Sequence, residues 1–226
     1  MNSLEILKRK VIEFVEKVNK ELPGIIELEF RNVYKRGIFV SREKSEVGAK
    51  KRYALLDENN NIEVRGFEAV RRDWCKLAKE VQRKVLEFVL KENNPEKAIN
   101  YVREVIKNLK EKKVKLRDLV IHEQITKPLN KYEQMSPHVK AAIKAKEKGM
   151  LISEGSIISF VITKGSGSIS DRAMPVDFVL EGEYDDEYYI NHQIIPAALR
   201  VLKALGYTEK DILIGKDESL KRFLKW

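Results

Sequence analysis

The chain has 226 residues, 43% hydrophobic and 35% charged, which suits one large or two small globular domains with a real core. No apolar run approaches bilayer-spanning length, and MNSLEILKRK lacks a signal-like apolar stretch. Cys75 stands alone, which rules out an internal disulfide and a cysteine metal cluster, and the cytoplasm is the expected location.

The net charge of +9 is uneven: +3 over residues 1–66, +9 over 67–150 and −3 over 151–226. A basic centre suits a polyanion such as nucleic acid. A solvated Lys/Glu surface of the thermophilic kind explains the composition equally well.

Leu4, Leu7, Val11, Phe14, Val18 and Leu22 recur at helical spacing, and Pro23-Gly24 stops that helix. Ile26, Leu28 and Phe30 alternate with Glu27, Glu29 and Arg31, which predicts a half-buried strand. Further strands are predicted at Gly37–Val40 and Tyr53–Leu56, with a polar loop at Arg42–Ala49 and a turn at Asp57–Asn61.

From Phe67 to Phe88 the apolar spacing is helical, and Asn93-Asn94-Pro95 breaks it to start a helix through Leu109. Leu119–Ile125 and Ser156–Thr163 read as strands. Ser136-Pro137 opens a helix that Gly149 closes. Gly165–Ser168 is a hairpin turn. Tyr188–Leu205 is the last predicted helix, with Pro196 as a kink and Gly206 as its stop. The expected class is α+β, a helix plus a small antiparallel sheet followed by a mostly helical domain.

Lys50, Lys51, Arg52 and Tyr53 place three cations and an aromatic on a strand start, able to meet phosphates or a minor-groove edge. A charged strand edge is the commoner meaning of such a run. Arg71 and Arg72 near a predicted helix start oppose the macrodipole unless an anion binds there, or unless Glu68 or Asp73 pairs with them.

Thr126, Lys127 and Lys131 flank a proline turn that could hold a phosphate, although a plain turn is more usual. The three histidines lack metal-ligand spacing. Glu27 and Glu29, two apart on a strand, would share one face and could hold a divalent cation; a wet strand face is the more frequent meaning. No other close carboxylates share a predicted strand face, and there is no Asp-x-Asp, supported Cys/His dyad or nucleophile elbow.

Eight segments in order carry a resemblance: LPGIIELEF, YKRGIFV, KKRYALLDE, RGFEAVRRDWCKLAKEVQRKVLEFVL, HEQITKPLNKY, SPHVKAA, GSGSISDRA and YYINHQIIPAALRVLKALGY. Together they resemble the C-terminal end of archaeal family B DNA polymerases, the last stretch of palm and the thumb, over nearly the whole chain. The family's Asp-x-x-Ser-Leu-Tyr-Pro, Tyr-x-Asp-Thr-Asp and Lys-x-x-x-Asn-Ser-x-Tyr-Gly motifs do not occur here. The initial methionine and the helix after it suggest a natural gene product. The chain is thus similar to the small subunit of the split polymerases of methanogenic archaea such as Methanothermobacter. Arg42–Ala49 departs from the family, which has a short turn there.

The resemblance implies a C-terminal palm part in residues 1–66 and a thumb in 67–226. It implies DNA contacts by Lys50, Lys51, Arg52, Tyr53, Arg71, Arg72, Thr126, Lys127, Lys131 and His138. Glu27 and Glu29 fall near the family's palm carboxylates, with Arg31 in place of a third. The implied cofactor is Mg²⁺, held mainly by a large partner subunit carrying exonuclease, fingers and catalytic aspartates.

The implied activity is DNA synthesis on primer–template DNA within a heterodimer, with no catalysis by this chain alone. The rival is a free-standing DNA-binding accessory protein, which would leave no large apolar face uncovered. At the end, Leu220, Phe223 and Leu224 match the apolar positions of a sliding-clamp peptide, with Asp217 where glutamine is usual. A C-terminal turn packed on the thumb explains the same residues as well.

Overall fold

The structure, a computed structural model, describes residues 3–41 and 48–214, without the side chains of residues 41 and 48–51. It is α+β, with two antiparallel three-stranded meanders separated by helices. Helix α1 spans Ser3–Asn19, as its spacing predicts, yet it buries none of its residues. The Lys8–Glu58 ion pair links it to the first sheet. That sheet holds β1 (Tyr34–Ser41), β2 (Gly48–Asp57) and β3 (Ile62–Arg65).

The strand expected over Ile26–Phe30 is absent; the chain from 25 to 33 is irregular. The alternating pattern is real, but no neighbouring strand supplies a ladder. Instead the Asn19 amide takes both backbone groups of Leu28, accepting from its N–H at 2.8 Å and donating to its carbonyl at 2.9 Å. Gly48 and Ala49, read as loop, belong to β2, and residues 42–47 lie outside the described ones. The strand β3, missed in the sequence, follows the predicted turn, where Asp57 Oδ1 accepts the Asn61 N–H at 2.7 Å.

The helix expected from Phe67 begins later. Glu68–Val70 form one 3₁₀ turn, the chain then extends, and α2 runs Lys76–Leu90. Helix α3 (Pro95–Lys110) starts as expected, with Asn94 accepting the Lys97 N–H at 2.9 Å and Pro95 in the first turn. Strand β4 (Ile121–Gln124) pairs with β5 (Ile157–Ile162), and β5 with β6 (Ala173–Pro175).

Helix α4 (Pro137–Glu147) lies between them in sequence and packs on β5 and β6. The final helical run is α5 (Asp186–Tyr189), a π-type widening at Ile190–Ile194, and α6 (Ile195–Leu202) with Pro196 in its first turn. Proline lacks the N–H that a regular helix would need here, so the ladder loosens one turn before it. Gly206 (φ 84°) stops the run, and a short α7 (Glu209–Leu213), not foreseen, follows behind a Thr208–Asp211 capping box.

One apolar cluster runs from Ile38, Val40, Ala54 and Leu56 of the first sheet into Val81, Val85 and Leu86 of α2 and Ile195 and Leu199 of α6. Arg36 donates to the Leu90 carbonyl at 3.0 Å across the same junction.

Beyond α3, Lys112 (φ 57°) turns back to donate to the Tyr184 carbonyl at 2.6 Å and to Asp186 at 2.7 Å, while Lys164 reaches Asp186 at 2.8 Å. Burial pushes the Asp186 carboxyl up, but the bonds from Lys112 and Lys164 outweigh it and hold it at about 2 against an ordinary 3.8. The folded value is the lower one. The stabilisation is therefore complete above about pH 4 and is lost as pH falls through 2. The gap is worth roughly 2 kcal/mol. Asp186→Asn is expected to lose about that much in urea unfolding at neutral pH and to match wild type near pH 2. Equal stability at neutral pH would remove this carboxylate from the set that holds the fold.

Candidate nucleic-acid interface

Strand alternation sorts the first basic segment. Ala54 and Leu56 are buried, so Arg52 shares their side of β2 and is half-buried, while Tyr53 faces outward. Lys50 and Lys51 belong to β2 by backbone, but their side chains are outside the described residues.

On the outer face Tyr53 meets Phe39 at 6.1 Å between ring centroids and stands opposite Arg65 in the β2–β3 register. Phe39 is 68% exposed. Glu63 accepts from Arg65 Nε at 3.0 Å and from the Tyr34 hydroxyl at 2.8 Å, which fixes the guanidinium beside Tyr53. The Glu63 bond holds the Arg65 guanidinium above its ordinary value. Arg65 opens the RGFEAVRRDW segment, where the sequence alone gives it no site role. Its signal, an exposed cation in register with Tyr53, exists only once β3 pairs. Behind Phe39 a cleft of ≈ 560 Å³ opens between β1 and α6, lined by Val40, Ile195, Leu199 and Arg200 among others.

The second group is the exposed loop after the 3₁₀ turn. Arg71 and Arg72 do not begin a helix, so no macrodipole conflict arises there. Arg71 forms a two-point pair with Asp73, at 2.9 and 2.5 Å, and this bond raises the guanidinium above its ordinary value. Arg72 is exposed, with no carboxylate partner among the described residues.

Below the loop, Glu68 is 1% exposed and accepts from Gln82 Nε2 at 2.7 Å and Arg200 Nε at 3.2 Å. Gln82 Oε1 accepts the Ala69 N–H at 2.7 Å, and Gln193 Oε1 accepts the Cys75 N–H at 3.1 Å. Both ends of the loop are therefore pinned to α2 and the last helical run. Burial pushes the Cys75 thiol up to about 12, which makes it inert.

The third group is the turn after β4. Thr126, Lys127 and His138 meet around Tyr132, which lies five or six residues from each. The Tyr132 hydroxyl accepts the Thr126 N–H at 2.9 Å, and the Lys127 ammonium stands 4.8 Å from the ring centroid. His138 Nδ1 lies 2.8 Å from Glu123 and 3.1 Å from the Ser136 hydroxyl, its ring edge-on to Tyr132. The Ser136 side chain thus serves His138 rather than capping α4. Lys131 is exposed, and neither it nor Lys127 has a carboxylate partner among the described residues. Much of the remaining basic excess is paired on the surface, as in Lys76–Asp118, Lys84–Glu87, Lys97–Glu92 and Lys113–Glu111. Such exposed pairs are worth about 0–1 kcal/mol.

Glu27 and Glu29 are exposed on irregular chain, so strand alternation no longer aligns them, and Arg31 lies 3.7 Å from Glu29. Among the described residues no group of three or more His, Cys, Asp or Glu could hold a metal. By themselves these residues do not fit Mg²⁺. Leu220, Phe223 and Leu224 lie outside the described residues. No helix among the described residues is long and apolar enough to cross a membrane.

The model of DNA polymerase family B matches residues 3–205. The DNA polymerase of Methanocaldococcus jannaschii is 45% identical over 224 residues, 99% of this chain but 13% of that protein. The DNA polymerase of Thermococcus kodakarensis is 45% identical over 214 residues, 94% of this chain and 12% of its own length. A solved structure of the family B DNA polymerase from Pyrobaculum calidifontis aligns with a TM-score of 0.69 at 38% identity, over 88% of this chain and 25% of that one. With the match to the family model extending across most of its length, this chain belongs to DNA polymerase family B and spans a fraction of the length of its relatives.

Proposed function

We propose that the chain acts as the small subunit of a heterodimeric DNA-directed DNA polymerase, completing the palm with residues 1–66 and gripping primer–template duplex with a thumb formed by 67–226. The observation that carries this reading is the number of apolar side chains that the first part leaves exposed. Leu7, Ile12 and Phe14 of α1 are exposed, as are Ile25, Ile26 and Leu28 in the segment that has a strand pattern without a strand partner. Apolar side chains left exposed on a helix that buries nothing, and beside a segment with no strand neighbour, mark a missing neighbour. A free-standing DNA-binding protein would have no reason to leave them bare.

In this reading a large subunit supplies the fingers, the exonuclease and the aspartates that hold Mg²⁺. Those ions would supply the charge stabilisation that phosphoryl transfer needs. The part of this chain is grip. Tyr53, Arg52 and the two β2 lysines would meet the nascent duplex. Arg71, Arg72, Thr126, Lys127, Lys131 and His138 would meet its backbone. Phosphate contacts of this kind position the duplex without reading its sequence. The tail with Leu220, Phe223 and Leu224 would plug a sliding-clamp pocket.

The test has two arms. The pure recombinant chain, given primer–template, nucleotides and Mg²⁺, is expected to incorporate nothing. Native purification is expected to bring down a second polypeptide with the missing polymerase motifs. Incorporation by the pure chain, or a native protein that purifies alone, overturns the subunit reading.

A further inference from the structure

We infer that Tyr132 is a positioning residue that aims Lys127 and Thr126 at a phosphodiester of the bound duplex. The inference rests on the duplex-contact reading of that turn. After Gln124 the chain leaves the sheet, bends through Thr126–Pro128 and returns by a 3₁₀ turn at Leu129–Lys131. A polar turn of this kind has few buried contacts to hold it, and its side chains would sample many positions.

Here Tyr132 closes the turn. Its hydroxyl takes the Thr126 N–H at 2.9 Å and lies 3.3 Å from Thr126 Oγ1. The bonds from Thr126 pull the phenol below its ordinary value, as fits a hydroxyl used as an acceptor. The ring is fixed in turn by His138, edge-on at 6.0 Å and 81°, which Glu123 and Ser136 anchor. Lys127 Nζ rests 4.8 Å from the ring centroid, while Thr126, Lys127 and Lys131 all remain exposed.

The chemistry of the two groups defines the ligand. A lysine ammonium has three N–H donors. Placing it over a ring occupies it by electrostatic attraction and leaves donors free for phosphate oxygens. A free lysine carries about 2 kcal/mol of rotamer entropy. A ring that already restrains the side chain lowers what phosphate binding must freeze. Thr126 offers a hydroxyl beside it. The pair suits one backbone phosphate of a duplex, with no reading of the bases.

The experiment measures binding of the full chain to a fluorescent mixed-sequence duplex across a range of salt, as a double-variant cycle. Lys127→Ala is expected to weaken binding severalfold and to flatten the salt slope by about one counterion. Tyr132→Leu is expected to weaken it about two- to fivefold, the range of an exposed cation–π contact. Tyr132→Phe keeps the ring and should lose less.

The deciding result is the double variant: Tyr132→Leu should cost less in the Lys127→Ala background than in wild type, the remainder passing through Thr126. Additive losses would show that Tyr132 does not act through Lys127, and overturn the inference. Wild-type affinity and salt slope for Lys127→Ala would sink the duplex-contact reading itself, and the inference with it. Thermal unfolding of each variant identifies any that fail to fold. Should Tyr132→Leu be one of them, Tyr132→Phe crossed with Thr126→Ala decides the question through the hydroxyl, additive losses again overturning the inference.

Discussion

Phe14→Glu should leave the isolated chain as stable as wild type and cut its association with the proposed large subunit by roughly 30- to 1,000-fold. The contrast follows from geometry. Phe14 is 64% exposed and α1 buries no residue, so within this chain the ring has little to lose. Exposed substitutions away from special features shift stability by about 0.5 kcal/mol or less. At an interface the same ring would be an aromatic anchor, and losing one costs about 2–4 kcal/mol. A carboxylate in its place adds the cost of an unpaired buried charge. Urea unfolding of the isolated chain and titration against the large subunit together test both halves. Unchanged association would mean that this helix is not the joint.

Arg200→Ala should be the most damaging single change around the Arg71–Arg72 loop, at roughly 3 kcal/mol, the lower end of the cost of stranding a buried carboxylate. The low end applies because the Arg200 side chain is itself 28% exposed. Glu68 has no such access to solvent, with its side chain 2% exposed. Removing the guanidinium leaves it with the Gln82 amide. That amide group also holds the Ala69 N–H and the Ala197 carbonyl, so the loop bearing Arg71 and Arg72 loses its anchor with it. Duplex affinity should fall along with stability. Adding Glu68→Gln to Arg200→Met should restore most of the lost stability, since no charge is then left buried alone. A single Arg200→Ala variant within about 1 kcal/mol of wild type in urea unfolding would refute this account of the network.

By itself the sequence determined the elements whose signals are local. Asn94-Pro95 starts α3 because a side-chain acceptor and a preset φ act within one turn. Gly206 ends the last long helical run because a left-handed residue costs glycine nothing. The apolar stripe of α1 and the antiparallel β1–β2 pair were legible for the same reason, their periods being written in consecutive residues.

The sequence also held the family signature, since the motifs that carry it are short and ordered. What it did not hold is whatever depends on a partner distant along the chain. The 26–30 segment has a strand's alternation, but a strand exists only where a second one completes its hydrogen bonds, and here the Asn19 side chain does so instead. For the two arginines near Phe67 the sequence leaves an anion site and a pair with Glu68 or Asp73 equally open; Arg71 takes the nearby Asp73, but Glu68 is buried against Arg200, 132 residues away. In the sequence Lys127 and His138 belong to separate segments, ITKPL and SPHV. Only folding puts Tyr132 between them, because a ring can take a cation and an imidazole edge at once, and no spacing rule along a chain records that.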